Sequence, residues 1–280
     1  LRQEFVQRSI TAICLSAAVV ALVLFSPNLI LNTFVFLLSL ALFFEWMKVS
    51  KASRKKKIIF LLLFSSLICC ILGFGALLEP IPIITMLGIT VWIVIAFQIF
   101  FREGRLSSSF SFTNFWIGLI LISTFCLTCF QFVNGSRLFL LIAIFNVAIF
   151  DSGAYIIGKN FGKNSFLPEL SPNKTIEGLI GGLASSIVFV TLLYILIEEV
   201  SLKASIALML SIPFALCGDY FFSFLKRKAN IKDTGSILPG HGGLLDRVDS
   251  HLAAIPMTAF FSHLLYICLL YTSDAADERN

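Results

Sequence analysis

Between Phe222 and Pro256 the chain reads FSFLKRKANIKDTGSILPGHGGLLDRVDSHLAAIP, and eight charges fall in it: Lys226, Arg227, Lys228, Lys232, Asp233, Asp246, Arg247 and Asp249. Long apolar runs flank the stretch, and a plain connection between membrane helices needs none of these charges. Asp219, Ser223 and Lys226 are spaced i, i+4 and i+7, which is one face of a helix. Asp246, Asp249 and Ser250 are spaced i, i+3 and i+4 on the next. The helical rise sets Asp219 roughly 10 Å below Lys226. One stripe thus offers a deep carboxylate, then a hydroxyl, then a cation at the rim. That order suits a metal ion below and phosphates above. Carboxylates hold Mg²⁺ through one or two side chains, with substrate phosphate and water completing the shell. Lys and Arg at the rim neutralise phosphate charge. Asp151 likewise interrupts an apolar run, LFLLIAIFNVAIFDSGAYIIGK. An ionisable side chain in a membrane helix is costly and points to function, and Asp is too short to snorkel far.

The glycines add a second signal. PGHGG carries Gly240, Gly242 and Gly243 around His241. Such a turn lets backbone N–H groups face an anion with no Cβ in the way. An ordinary helix-joining turn is the plainer alternative, but the KRxxxxKD and DRxD flanks favour a phosphate cradle. No second His or Cys stands at ligand spacing from His241, which argues against zinc. On the same side lies GKNFGKNSFLPELSPNKTIEG, residues 158–178. Ser171 and Pro172 fit the N-cap and N1 positions of a helix. Lys174 would then fall in its first turn, where a cation opposes the macrodipole unless an anion is bound. Lys174 is therefore a candidate phosphate contact.

Several features have simpler explanations. GAYIIGKN fits the start of a P-loop, but Asn160 follows the lysine and the segment ends an apolar helix, so the match is chance. Gly178 and Gly182 form a GxxxG that marks close helix packing. The basic run KVSKASRKKK suits anionic lipid headgroups. All seven cysteines lie in apolar runs, and the Cys126–Cys129 CxxC lacks the βαβ surroundings of a redox site.

The elements that must position these groups are membrane helices. The chain is 58% hydrophobic and only 13% charged, well outside the range of soluble domains. Nine apolar runs approach the length of a spanning helix, near 9–26, 28–47, 58–78, 81–101, 112–132, 137–157, 176–198, 204–225 and 250–268. The expected fold is all-α, a polytopic integral membrane protein with about nine transmembrane helices. The first run has no A-x-A-like cleavage site and reads as an anchor, although the chain opens on Leu1 like a fragment. Short loops leave one membrane-embedded domain over 1–266. The tail 267–280 reads like translated adapter sequence and is set aside. With the N-terminus cytoplasmic, eighteen Lys and Arg fall on the cytoplasmic side, against Arg137 and Lys203 opposite. That asymmetry fits the positive-inside rule and puts every polar loop in the cytoplasm.

These residues resemble a known family. SFLKRKANIKDTGSILPGHGGLLDRVDS, residues 223–250, is similar to the signature of the phosphatidate cytidylyltransferases, or CDP-diacylglycerol synthases. Its pattern, S-x-x-K-R-x4-K-D then P-x-H-G-G-x-x-D-R-x-D, is met at Ser223, Lys226, Arg227, Lys232, Asp233, Pro239, His241, Gly242, Gly243, Asp246, Arg247 and Asp249. DSGAYIIGKNFGK and SPNKTIEGLIGG also resemble that family. The resemblance implies that CTP and phosphatidate give CDP-diacylglycerol and pyrophosphate, in phospholipid biosynthesis. It implies a divalent cation, taken as Mg²⁺ with a second cation as an option, and a homodimer in a bacterial cytoplasmic membrane. Carried onto this chain, Asp219, Asp246 and Lys226 are the catalytic expectations. Asp219 and Asp246 would hold the metal, with Asp249 and Asp151 as further ligands or as partners of the ligands. Ser223, Arg227, Lys232, Asp233, His241, Gly242, Gly243, Arg247 and Lys174 would bind substrate. No nucleic-acid partner is expected. The nearest rival is a CTP-using polyprenol or phytol kinase, which would release CDP. A more distant one is an ion-coupled transporter, whose carboxylates would sit near the midplane.

Overall fold

The computed structural model describes residues 17–50, scattered positions between 53 and 66, 81–101, 115–168, 171–231, 233–235 and 242–277. After a helical stretch over 17–25 come α1 (Asn28–Val49), α2 (Ile81–Phe101), α3 (Phe115–Gly135) and α4 (Arg137–Phe161). A small hairpin follows, β1 (Ser165–Leu167) and β2 (Ser171–Thr175), then α5 (Ile176–Leu196), α6 (Leu202–Ala229) and α7 (Leu245–Asp277). Six helices among the described residues, α1 to α6, are long and apolar enough to cross a membrane. The chain is thus an integral membrane protein. Of the nine expected runs, 9–26, 58–78 and 112–132 lie only partly within the described residues.

Local chemistry sets the ends of these helices. Ser136, Thr175 and Ser201 cap α4, α5 and α6, each hydroxyl accepting from the backbone N–H three residues on, at 3.2, 3.1 and 3.2 Å. α6 stops where Asn230 adopts the left-handed conformation, φ 56°. Its last turn carries Lys226, Arg227 and Lys228, where cations suit the macrodipole.

One expected boundary is wrong. Ser171 and Pro172 do not open a helix; they lie in β2, and Thr175 is the cap of α5. The antiparallel hairpin pairs Ser165 with Thr175 and Leu167 with Ser171. Glu177 secures its base, accepting from Lys163 N at 3.0 Å, Asn164 N at 3.2 Å and Asn164 Nδ2 at 2.8 Å. Lys174 is therefore a strand residue, and the macrodipole argument for it falls.

The most extensive helix contacts are α6 along α7 and α4 along α5. Small residues permit both. A Cβ at Gly218 of α6 would stand 2.4 Å from Asp249 O of α7. Cβ atoms at Gly178 and Gly182 would meet Ala154 O at 2.7 Å and Phe150 O at 2.8 Å. The GxxxG of α5 thus lies against α4, as close packing requires. A buried polar link joins α4, α5 and α6: Ser186 Oγ donates to Asn146 Oδ1 at 2.6 Å, and Asn146 Nδ2 donates to Leu208 O at 3.2 Å.

An aromatic knot fixes α1 and α2 against α6. Trp46 packs edge-on to Phe222 with centroids 5.9 Å apart, and Trp92 edge-on to Phe221 at 5.8 Å. All four rings are buried. The far end of α1 carries different chemistry: Arg137 donates to Ser26 O at 2.7 Å and also bonds Asn28. From Asn28 to Glu45 the helix rises about 25 Å. Arg137 and the polar loop after α6 thus sit at opposite ends of α1. Outward-facing Phe97, Ile180, Leu192 and Ile195 are exposed, the surface that lipid covers.

Candidate functional site

Two groups of polar side chains meet at this end of the bundle. The first joins α4, β2, α6 and α7. Lys174 of β2 makes an ion pair with Asp219 of α6. Its ammonium also lies 4.4 Å from the ring centroid of Tyr220. Asp151 of α4 faces Asp219, Lys174 and Ser250. Asp249 of α7 faces Asp219, Asp151 and Lys226. Three carboxylates from three helices thus act on one another, with Lys174 acting on Asp219 and Asp151 and Lys226 on Asp249. Gly218 makes this possible, because it lets Asp219 and Asp249 approach across the α6–α7 contact.

The second group is a knot around Asp246. Lys226 Nζ donates to Asp246 Oδ1 at 2.9 Å. Asp246 Oδ2 accepts from Thr234 N at 2.9 Å, Thr234 Oγ1 at 3.0 Å and Gly243 N at 3.2 Å. Partial burial pushes the Asp246 pKa up, but the Lys226 and Thr234 bonds outweigh it and hold the group below its ordinary value. Behind the knot, Glu45 of α1 accepts from Leu244 N at 3.1 Å and Leu245 N at 2.8 Å, and its Oε2 shares the single Thr234 hydroxyl proton with Asp246, at 3.0 Å. Nothing in the local sequence around Glu45 signals this role, and Thr234 does not stand out from sequence alone.

The expected residues therefore divide. Asp151, Asp219, Asp249 and Lys174 come together. Asp246 and Lys226 pair with each other and tie down the loop. Ser223 is half-buried on α6 between these levels, while Arg227 and Arg247 are exposed. Asp233 is exposed and lies beside Gly242, whose φ of 83° suits glycine. Gly243 N–H turns inward to Asp246 rather than outward to an anion. Lys232 and His241 lie outside the described residues. GAYIIGKN runs within α4, so it is no phosphate loop.

The donor chemistry of the first group fits a hard cation. Its three carboxylates bring oxygen ligands of the kind Mg²⁺ takes. Among the described residues, however, no three His, Cys, Asp or Glu side chains converge closely enough to hold a metal as they stand. The Asp246 oxygens are engaged by Lys226, Thr234 and Gly243.

The Cytidylyltransferase family model matches residues 6–265. The phosphatidate cytidylyltransferase of Bacillus subtilis (strain 168) is 43% identical over 113 residues, 39% of this chain and 42% of the relative. Those of Staphylococcus haemolyticus (strain JCSC1435) and Staphylococcus aureus (strain COL) are each 42% identical over 122 residues, 42% of this chain and 46% of theirs. The chain thus spans less than half the length of these curated relatives. With the family match running over nearly all of its length, the chain belongs to the Cytidylyltransferase family.

Proposed function

We propose that this protein transfers a cytidylyl group from CTP to phosphatidate, yielding CDP-diacylglycerol and pyrophosphate for phospholipid synthesis. A phosphate oxygen of the lipid attacks the α-phosphorus of CTP. The bond from that phosphorus to the α,β-bridging oxygen breaks, and pyrophosphate leaves. The lipid phosphate is already a nucleophile, so the protein's part is positioning and charge neutralisation.

One observation carries this reading. Asp151 and Asp249 each act electrostatically on Asp219, which pairs with Lys174, at the end of the bundle where α6 carries Lys226, Arg227 and Lys228. Carboxylates grouped in this way favour a cation, and the neighbouring lysines and arginines favour phosphate. Asp219 with Asp151 and Asp249 would hold Mg²⁺, with a second cation as an option; when bound it would neutralise phosphate charge. Asp246 would join them only by giving up its Lys226 contact. Lys174, held between Asp219 and Tyr220, suits a phosphate that enters beside the metal. Ser223, Arg227, Lys232, Asp233, Arg247 and the His241–Gly243 turn would bind the rest of the substrates.

The same reading has one domain over 1–266 in a bacterial cytoplasmic membrane, with this end facing the cytoplasm, and a homodimer as the working unit. Light scattering of the detergent-purified chain tests the dimer. The function is tested by pyrophosphate release in mixed micelles with CTP, Mg²⁺ and phosphatidate. Release that requires all three, with a CDP-lipid product, is the expected result. Release of CDP and a phosphorylated alcohol would instead make the protein a kinase.

A further inference from the structure

Glu45 has no accessible surface, and the reaction proposed above gives it no task. A buried carboxylate without partners is strongly disfavoured, so its surroundings explain why it is tolerated. The N–H groups of Leu244 and Leu245, at the start of α7, both point at it. Those are donors that a helix start leaves without a partner of its own, and the macrodipole there favours negative charge. Ten residues earlier the Thr234 hydroxyl also reaches it. Glu45 therefore grips the connection between α6 and α7 at two separated points. Its own helix is fixed independently, by the burial of Leu42, Phe43, Trp46 and Met47.

The packing around the carboxylate supports the same role. A Cβ at Gly235 would stand 2.2 Å from Glu45 Oε1. One at Gly243 would stand 2.8 Å from Glu45 Oε2 and 2.2 Å from Thr234 Oγ1. These glycines clear space for an incoming side chain from α1. The single Thr234 hydroxyl lies 3.0 Å from Glu45 Oε2 and 3.0 Å from Asp246 Oδ2. It couples the Glu45 anchor to the Asp246–Lys226 knot.

We infer that Glu45 is a positioning residue of the nucleotide site, holding the α6–α7 connection at Thr234, Leu244 and Leu245 in the arrangement that binds CTP. This rests on the function proposed above. Glutamine at position 45 would keep one acceptor oxygen and turn an NH₂ group towards donors, so the grip is lost while the volume stays the same.

The test uses the full chain in detergent, with Glu45→Gln, Thr234→Val and Thr234→Ser. Amide exchange around 242–248 is read beside the KM for CTP and the KM for phosphatidate. In Glu45→Gln the KM for CTP should rise about tenfold or more, the worth of a charge-assisted hydrogen bond. The KM for phosphatidate should stay within about twofold, and exchange should quicken at Leu244 and Leu245 but not in α3. Thr234→Val should show the same pattern more weakly, and Thr234→Ser should restore it. An unchanged KM for CTP with unchanged loop exchange overturns the inference. So does an equal rise in both KM values with faster exchange throughout the bundle. If Glu45→Gln does not fold, the Thr234→Val and Thr234→Ser pair decides by the same criteria. A wild-type chain that releases no pyrophosphate defeats the proposed reaction instead, and the exchange contrast then still decides whether Glu45 holds the connection.

Discussion

Asp219 and Asp246 lie on neighbouring helices at the same end of the protein, yet their surroundings are opposites. Asp246 is well served: Lys226, Thr234 N and Gly243 N donate to it, and it shares the Thr234 hydroxyl with Glu45. Asp219 has Lys174 for a partner but also faces Asp151 and Asp249. A carboxylate surrounded by fixed donors organises the backbone around it. Carboxylates crowded against one another gain from a further cation. The signature stretch thus joins two tasks, one that shapes a loop and one that takes a ligand.

That contrast can be broken by mutation. The largest effect should come from Asp219→Asn. Turnover should fall by at least about 100-fold, the scale on which a lost electrostatic contact acts in a reacting site. The thermal midpoint in detergent should hold or rise, because relief of repulsion from Asp151 and Asp249 outweighs the loss of the partly exposed Lys174 pair. Asp246→Asn should behave in the reverse sense for stability, costing about 1.5–3 kcal/mol as charge-assisted bonds are weakened. Denaturation curves of the two variants side by side check the difference. If both lose stability equally, the distinction between the two carboxylates fails.

Lys174→Met should come next. It removes the cation that pairs with Asp219 and lies over Tyr220. Activity should drop about 10-fold or more, read mainly in the KM for a phosphate-bearing substrate, with a small change in stability. A variant with ordinary kinetics would reduce Lys174 to a structural partner of Asp219.

A smaller effect is expected from pH. The Asp246 pKa is lowered in the fold. Its stabilising contribution is therefore present above the unfolded value, about 3.9, and is lost only as pH falls through the lower folded value. Protection of the Thr234 amide, corrected for intrinsic exchange, should accordingly persist between pH 7 and pH 5. Protection that is lost across that range would mean the Asp246 bonds do not hold the loop.

Much of this arrangement was legible in the sequence, and the missing parts have physical reasons. Asp219, Ser223 and Lys226 announced themselves because helical spacing alone puts them on one stripe of α6. The apolar runs announced α1 to α6 because a membrane demands length and composition together. Glu45 gave no such sign. Its partners lie 189 to 200 residues away in sequence, and in FFEWMKV it looks like any polar residue near a helix end. Lys174 was placed in the wrong element for a different reason. Ser-Pro is a sound local signal for a helix start, but Thr175 is an equally sound cap. Pairing of 171–175 with 165–167 decides between them, and no local rule contains that pairing. The spacing of Asp246 and Asp249 was legible, but the separate surroundings of their carboxylates depend on Thr234 and Asp151, which only tertiary packing brings near.

The most direct measurement is pyrophosphate release by purified wild-type chain and Asp219→Asn, with CTP, Mg²⁺ and phosphatidate in mixed micelles. The account predicts release by the wild type that stops when lipid, nucleotide or metal is omitted. It predicts near-complete loss in a variant that is folded and at least as stable. Full activity in Asp219→Asn, or no dependence on CTP in the wild type, would contradict it.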